Sequence, residues 1–271
     1  MYFTKMQGCG NDYLLVDAVR QKIPKEGRKG MAVKLSDRHF GVGADGLIFI
    51  QGGEKAPYEM EMYNADGSRG EMCGNGIRCV GKYLRDHGMA SGRLMRIESM
   101  GKVYELESLK AASEGSEKNK ISKEDFFRVE MGAPVFLSGE ETEIAGYQWT
   151  TVSIGNPHAV VLLSDHDPWK VEIIGPLVEN APCFPDRINA EFVRVRSESM
   201  IEMRVWERGS KETLSCGTGA CAAAAVCMQK GLTDEKITVK LIGGELAVFW
   251  DRRRNRMYLT GPACTVFEGE I

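Results

Sequence analysis

The sequence carries no large excess of charge of either sign, no apolar run long enough to cross a bilayer and no CxxC cysteine pair. Lys and Arg number 35 against 38 Asp and Glu, a net charge of −3, so no global basic field recruits nucleic acid or an anionic membrane. The apolar run 222–228 falls far short of the ~20 residues that a transmembrane helix needs. The opening residues, MYFTKMQGCGND, lack a basic segment followed by an apolar one, so no signal peptide is expected and the cytoplasm is the expected compartment. In that reducing setting the eight cysteines are expected as free thiols rather than as a disulfide framework. Metal binding is not expected either. The nearest pairs, Cys73 with Cys79 and Cys216 with Cys221, are separated by five and four residues and have no histidine beside them.

What is present is a chain written twice. With 271 residues there is enough length for two modest domains. Gly10-Asn11-Asp12-Tyr13 precedes an apolar run, and so does Gly155-Asn156-Pro157-His158, shifted by 145 residues. Cys73-Gly74-Asn75-Gly76 recurs as Cys216-Gly217-Thr218-Gly219, shifted by 143, each copy preceded by a Gly-Ser. The segment starting at Asp45 aligns with the one starting at Asn189 at a shift of 144. Landmarks that keep nearly one offset indicate two homologous halves.

Each half has the same coarse order. Short β-branched and apolar runs come first, at 14–17 and 47–50 in one half and at 151–154 and 159–163 in the other. A helix is predicted to open at each CGxG, over 76–86 and 219–230, ending near Gly88 and Gly231, and further strands include 103–107 and 246–250. The second helix is apolar nearly all round and is expected to sit inside its domain. The polar stretch 110–124 reads as a linker or exposed hairpin. Halves are therefore expected to divide at 118/119.

A cysteine at the start of a helix faces unpaired backbone N–H groups and the positive end of the helix dipole. Both favour the thiolate. The glycines that follow let the backbone approach an anion closely, which makes the same turn a cradle for a carboxylate. A single CGxG is as easily a buried structural cysteine. Two copies in a duplicated frame can instead face one ligand from opposite sides, one thiolate removing a proton from carbon while the other thiol returns one. Inversion must run in both directions, so the two groups must be chemically alike; here both are cysteine.

The blocks MQGCGNDYLLVD, RHFGVGADG, YNADGSRGEMCGNGIRC, SIGNPHAVVL, FPDRINAEFVRV and VWERGSKETLSCGTGACAAA together resemble the diaminopimelate epimerase family across essentially the whole chain. The resemblance implies an α+β fold of two pseudo-symmetric domains, each a curled, mostly antiparallel sheet around a central helix, with the active site in the cleft between them; the tail 263–271 is expected to return to the first domain, 1–118, leaving 119–262 as the second. It implies an enzyme without cofactor or metal that interconverts LL- and meso-2,6-diaminopimelate. Carried over residue by residue, it gives Cys73 and Cys216 the acid and base roles. Gly74-Asn75 and Gly217-Thr218 become the cradle for the carboxylate at the reacting carbon. Asn11, Asn64, Asn156, Asn189, Glu207 and Arg208 become the residues that hold the amines and the distal carboxylate. His158 and Glu207 become the groups that tune the thiols, and Phe267 in the C-terminal strand becomes a dimer contact of an expected homodimer. A substrate with two ammonium and two carboxylate groups needs such a mixture of donors and acceptors.

The chain departs from the family pattern at Gly46, where many members carry a glutamine that reaches the ligand. Alternatives to this reading are a related two-cysteine racemase, for example of histidine, on the same scaffold, and a non-catalytic thiol protein that senses oxidation or binds metal.

Overall fold

The computed structural model describes residues 1–70, 72–109, 124–137 and 141–271. The stretch 110–123 lies outside the described residues, and with it the expected boundary at 118/119; Glu124 opens a strand. The chain divides into two compact units, Met1–Val129 with Gly261–Ile271, and Glu130–Thr260.

The first unit contains β1 (Tyr2–Gly8), β2 (Asn11–Asp17), α1 (Arg28–Ser36), β3 (Gly46–Gln51), β4 (Tyr58–Asn64), α2 (Gly74–Asp86), β5 (Leu94–Ser99), β6 (Lys102–Leu109) and most of β7 (Glu124–Gly132). The second contains β8 (Val135–Phe136), β9 (Thr142–Ile144), β10 (Tyr147–Ser153), β11 (Pro157–Leu162), α3 (Val171–Glu179), β12 (Asn189–Ser197) and β13 (Met200–Glu207). It continues with β14 (Lys211–Thr213), α4 (Gly217–Gln229), β15 (Lys236–Leu241), β16 (Gly244–Asp251) and the start of β17 (Arg256–Glu270), whose remainder belongs to the first unit.

The duplication read from the sequence is explicit in the strand pairings. In the first unit β1–β2 is antiparallel, β2–β3 parallel, β3–β4 antiparallel, β4–β5 parallel, and β5–β6 and β6–β7 antiparallel. Pairing of β17 with both β1 and β7 closes these eight strands into a barrel. In the second unit β10–β11 is antiparallel, β11–β12 parallel, β12–β13 antiparallel, β13–β15 parallel, and β15–β16 and β16–β17 antiparallel. The succession of directions is the same. Parallel neighbours need a crossover, and a helix supplies each: α1 and α3 at the first parallel pair, α2 and α4 at the second.

The strands of the first parallel pair are buried on both faces, which explains why they read as continuous apolar runs rather than as alternating ones. Leu14, Val16, Leu47 and Phe49 pack with Ala32 and Leu35 of α1. Alternation along the strands turns Tyr13 and Ile48 the other way, toward α2, where Tyr13 meets Cys73 and Ile48 meets Gly76. In the second unit Ala159, Val161, Ala190 and Phe192 pack with Val171, Ile174 and Val178 of α3. The opposite face carries His158 and Glu191, and Glu191 meets Gly219 at the start of α4. Every α4 residue from Gly217 to Met228 is buried, and the helix contacts β10, β11, β12, β13, β15 and β16, so it lies inside the curled sheet as its composition predicts. Its alanines let the strands come close, while each large aliphatic side chain buried around it contributes about 1.5–3 kcal/mol.

Sheet register corrects one alignment. The shift of 144 sets Asp45 against Asn189, but the pairings Tyr13↔Gly46 and His158↔Asn189 make Gly46 the counterpart of Asn189 and Ile48 that of Glu191. One residue matters here, because it decides which face of the strand a side chain occupies. The central helices also begin two residues earlier than the spacing predicts, at Gly74 and Gly217, with the cysteines as their caps. Helices α1 and α3 are not foreseen in the sequence. They start from Gly27 and from the left-handed Lys170 without a side-chain cap, and α3 contains Pro176, so neither shows the usual start signal.

Candidate active site

In the first unit Cys73 caps α2 with φ −113° and ψ 117°, an extended conformation that turns its side chain back over the first helical turn. Its Sγ accepts the Gly76 N–H at 3.4 Å, and the Tyr13 hydroxyl lies 3.0 Å away. Asn75, almost fully buried, donates from Nδ2 to Asn11 Oδ1 at 2.7 Å and accepts from Arg78 Nη2 on its own Oδ1 at 2.6 Å. Asn11 in turn donates to Asp45 Oδ2 at 3.2 Å. One hydrogen-bonded chain therefore joins Asn11 to the start of α2. Asn64 stands opposite Gly46 at the end of β4 and donates to Ser68 Oγ at 2.9 Å.

Gly46 itself has no room for a side chain. A Cβ there would lie 2.6 Å from the Tyr63 carbonyl oxygen, inside contact distance of a backbone atom. Its neighbour Asp45 is held by Arg38 Nη2 at 2.8 Å, while Arg38 also grips Asp12 at 2.7 Å. Burial, with the Asp12 carboxylate close by, raises the Asp45 pKa.

The second unit repeats the frame with different side chains. Cys216 caps α4 with φ −127° and ψ 117°, and its Sγ accepts the Gly219 N–H at 3.3 Å with Thr218 Oγ1 at 3.5 Å. Glu207 lies close enough to Cys216 for its charge to act on the thiol and accepts from the Thr213 hydroxyl. His158, fully buried, bridges Glu191 Oε1 at 2.7 Å and Asn156 Oδ1 at 3.0 Å. Asn189 donates to the Pro157 carbonyl at 3.0 Å and accepts the Arg208 backbone N–H at 2.9 Å. Arg208 Nη1 donates to the Asp186 carbonyl at 3.0 Å. The residues that the sequence singles out thus converge within each unit: Asn11, Asn75 and Cys73 in one, Asn156, His158, Asn189, Glu207, Arg208, Cys216 and Thr218 in the other. Phe267 lies apart, in β17, half-exposed and edge-on to Phe3 at 5.9 Å.

The expectation that a helix N-terminus favours the thiolate fails at Cys216. Burial pushes its thiol well above the ordinary range, and the carboxylates of Glu207 and Glu191 push in the same direction; Thr218 and the Gly219 N–H oppose them without prevailing. A few aligned N–H dipoles do not outweigh desolvation plus two like charges. Burial also raises the carboxyls of Glu191 and Glu207, with His158 opposing in both cases. Among the described residues Glu191 Oε2 is a buried polar atom without a hydrogen-bond partner.

These contacts explain the last glycine of CGxG. At Gly219 a Cβ would lie 2.7 Å from Glu191 Oε1 and 3.2 Å from Cys216 Cβ; at Gly76 it would lie 3.1 Å from Ile48 Cδ1. Sequence reasoning does not find Tyr13, Arg78, Thr213 or Glu191. Glu191 has a usable signal, a lone carboxylate inside the buried strand Asn-Ala-Glu-Phe-Val on the same face as Asn189. Tyr13 has a weaker one, its place opposite His158 in the repeat.

The fold and the two cysteine-capped helices define a class: duplicated α+β proteins in which each half wraps strands around a helix. Solved structures share this fold, among them a phenazine biosynthesis protein of the PhzF family from Bacillus anthracis, with TM-score 0.72 and 16% identity over 100% of this chain and 98% of that one. A probable proline racemase from Agrobacterium radiobacter with bound carbonate follows at TM-score 0.71 and 13% identity, covering 100% and 92%. The family model for diaminopimelate epimerase matches residues 3–137 and 150–266. Proteins named diaminopimelate epimerase from Acetivibrio thermocellus and Methanococcus maripaludis are each 44% identical over 100% of this chain and over 98% and 99% of their own lengths. The chain belongs to the diaminopimelate epimerase family and is an isomerase.

Proposed function

We propose that this protein interconverts LL- and meso-2,6-diaminopimelate by two-base inversion at Cα, with Cys73 and Cys216 acting on opposite faces of the reacting carbon. The observation that carries the reading is the pair of helix-capping cysteines with nearly the same backbone torsions, each accepting the N–H three residues on. In one direction a thiolate takes the α-proton, the electron pair moves toward the substrate carboxylate, and the other thiol delivers its proton to the opposite face. The reverse direction exchanges the roles. N–H groups of Gly74-Asn75 and Gly217-Thr218 are suited to the carboxylate on which charge builds.

Asn11 and Asn156, with Asn64, Asn189, Glu207 and Arg208, offer the acceptors and donors that two ammonium groups and a distal carboxylate require. Glu207, whose charge acts on Cys216, and His158, reaching it through Glu191, tune that thiol. A cytoplasmic homodimer with Phe267 at its contact completes the proposal; among the described residues no helix is long and apolar enough to cross a membrane. Incubation with LL-diaminopimelate in deuterated water, followed by NMR at the α-carbon, tests the reaction. Deuterium enters with inversion, and Cys73→Ala or Cys216→Ala lowers kcat by about 10³-fold or more. Inversion at the wild-type rate in either variant refutes the assignment of roles.

A further inference from the structure

Arg78 is fully buried in α2, and its partners are neutral oxygens: the Gly74 carbonyl at 2.9 Å, Asn75 Oδ1 at 2.6 Å and the Pro262 carbonyl at 3.1 Å. Among the described residues no carboxylate pairs with it. A guanidinium cannot shed its proton in a protein, so this is a buried full positive charge without a counter-ion among the described residues. Such a charge is expensive unless an anion lies close. Side chains on a helix lean toward its N-terminus, and the bond to Gly74 draws the Arg78 head to the residue next to Cys73.

The corresponding position in the second unit is Cys221, a buried cysteine in place of the arginine. There the charges beside the capping cysteine are carboxylates, Glu191 and Glu207, where the first unit has Ile48 and Asn64. The same local geometry therefore carries a cation bonded to the first residues of one helix and acids beside the capping thiol of the other.

We propose that Arg78 is a positioning residue that holds Cys73 as the thiolate, so that the two cysteines of the repeat differ in charge before substrate arrives. This rests on the two-base reading above. Other groups that bear on this end of α2 are the Tyr13 hydroxyl, on Sγ, and the thiols of Cys9, Cys79 and Cys264. The nearest acid along the hydrogen-bonded chain is Asp45, beyond Asn11 and engaged by Arg38. The reach of the Arg78 charge is visible at Cys79, whose thiol burial pushes up to about 12 while Arg78 opposes the rise.

The test follows Cys73 itself rather than turnover. Iodoacetamide alkylation of Cys73, read by peptide mass spectrometry across pH, gives its titration midpoint, and ¹³Cβ-cysteine NMR of the unmodified protein gives it without any substitution. The expected wild-type midpoint lies below the ordinary thiol value of about 8.5. Arg78→Met raises it by about one unit or more, a tenfold slower alkylation at neutral pH, while Arg78→Lys, which keeps the charge, leaves it within about 0.3 unit. A wild-type midpoint at or above about 8.5 overturns the proposal even if Arg78→Met does not fold. An unshifted midpoint in folded Arg78→Met or Arg78→Gln overturns it too, and so does an Arg78→Lys shift as large as that of Arg78→Met. Wild-type inversion in Cys73→Ala would instead remove the two-base reading and leave the titration as it was.

Discussion

The two units build one backbone device in opposite electrostatic settings. Cys73 and Cys216 both cap helices of 13 residues and both accept the N–H three residues on. Around Cys73 the neighbours are a tyrosine hydroxyl and an aliphatic Ile48; around Cys216 they are Thr218, Glu207 and, through Gly219, Glu191. Cys216 is buried, whereas Cys73 is partly exposed. A reversible inversion needs two groups of the same chemistry, but at any moment it needs one of them charged and the other protonated. Under the two-base proposal, duplication meets the first requirement and divergence of the side chains meets the second.

Exchanging features between the units probes that comparison. The largest effect is expected from Gly219→Ala. Its Cβ would lie 2.7 Å from Glu191 Oε1, a group held by His158, so the start of α4 must shift. Displacement of a catalytic group on that scale lowers kcat by about 10²-fold. Gly76→Ala meets only the tip of Ile48 at 3.1 Å, which can rotate away. Its expected destabilisation stays within about 1 kcal/mol in a denaturant titration. Equal losses in both variants would show that the carboxylate is not what makes the second turn tight.

Next in size is Glu191→Gln. A carboxylate beside Cys216 disfavours the thiolate, so removing its negative charge lowers the thiol pKa; an expected fall of about one unit is measurable by ¹³Cβ-cysteine NMR. No shift, or a rise, would mean that Glu191 carries no charge felt at the sulfur. Tyr13→Phe is expected to be the mildest, because it removes one hydrogen bond worth about 0.5–1.5 kcal/mol. Turnover should fall by only a few-fold, and Cys73 alkylation should slow if the hydroxyl donates to the thiolate. An unchanged alkylation profile would make Tyr13 a packing residue.

Much of this architecture is visible in the chain of letters. The CGxG pair, the asparagines after each turn and the nearly all-apolar second helix point to a duplicated frame with cysteine-capped helices, and the strand pairings repeat accordingly. Helices α1 and α3 escape notice because neither starts from a side-chain cap and one contains a proline. The alignment of Asp45 with Asn189 slips by one residue because apolar runs buried on both faces have no alternation to fix their register.

The absence of a glutamine at Gly46 reads in the sequence as a lost contact; the structure adds that the approach of the Tyr63 carbonyl leaves no space to restore it. Residue identities and their spacing alone determined the repeat, the two cysteines and the helix starts that present them, since capping and periodicity act over a few neighbouring residues. The surroundings of each sulfur were decided by tertiary structure. Tyr13 reaches Cys73 across 60 residues of sequence and His158 reaches Glu191 across 33, so only the fold could set one thiol beside a tyrosine hydroxyl and the other among carboxylates.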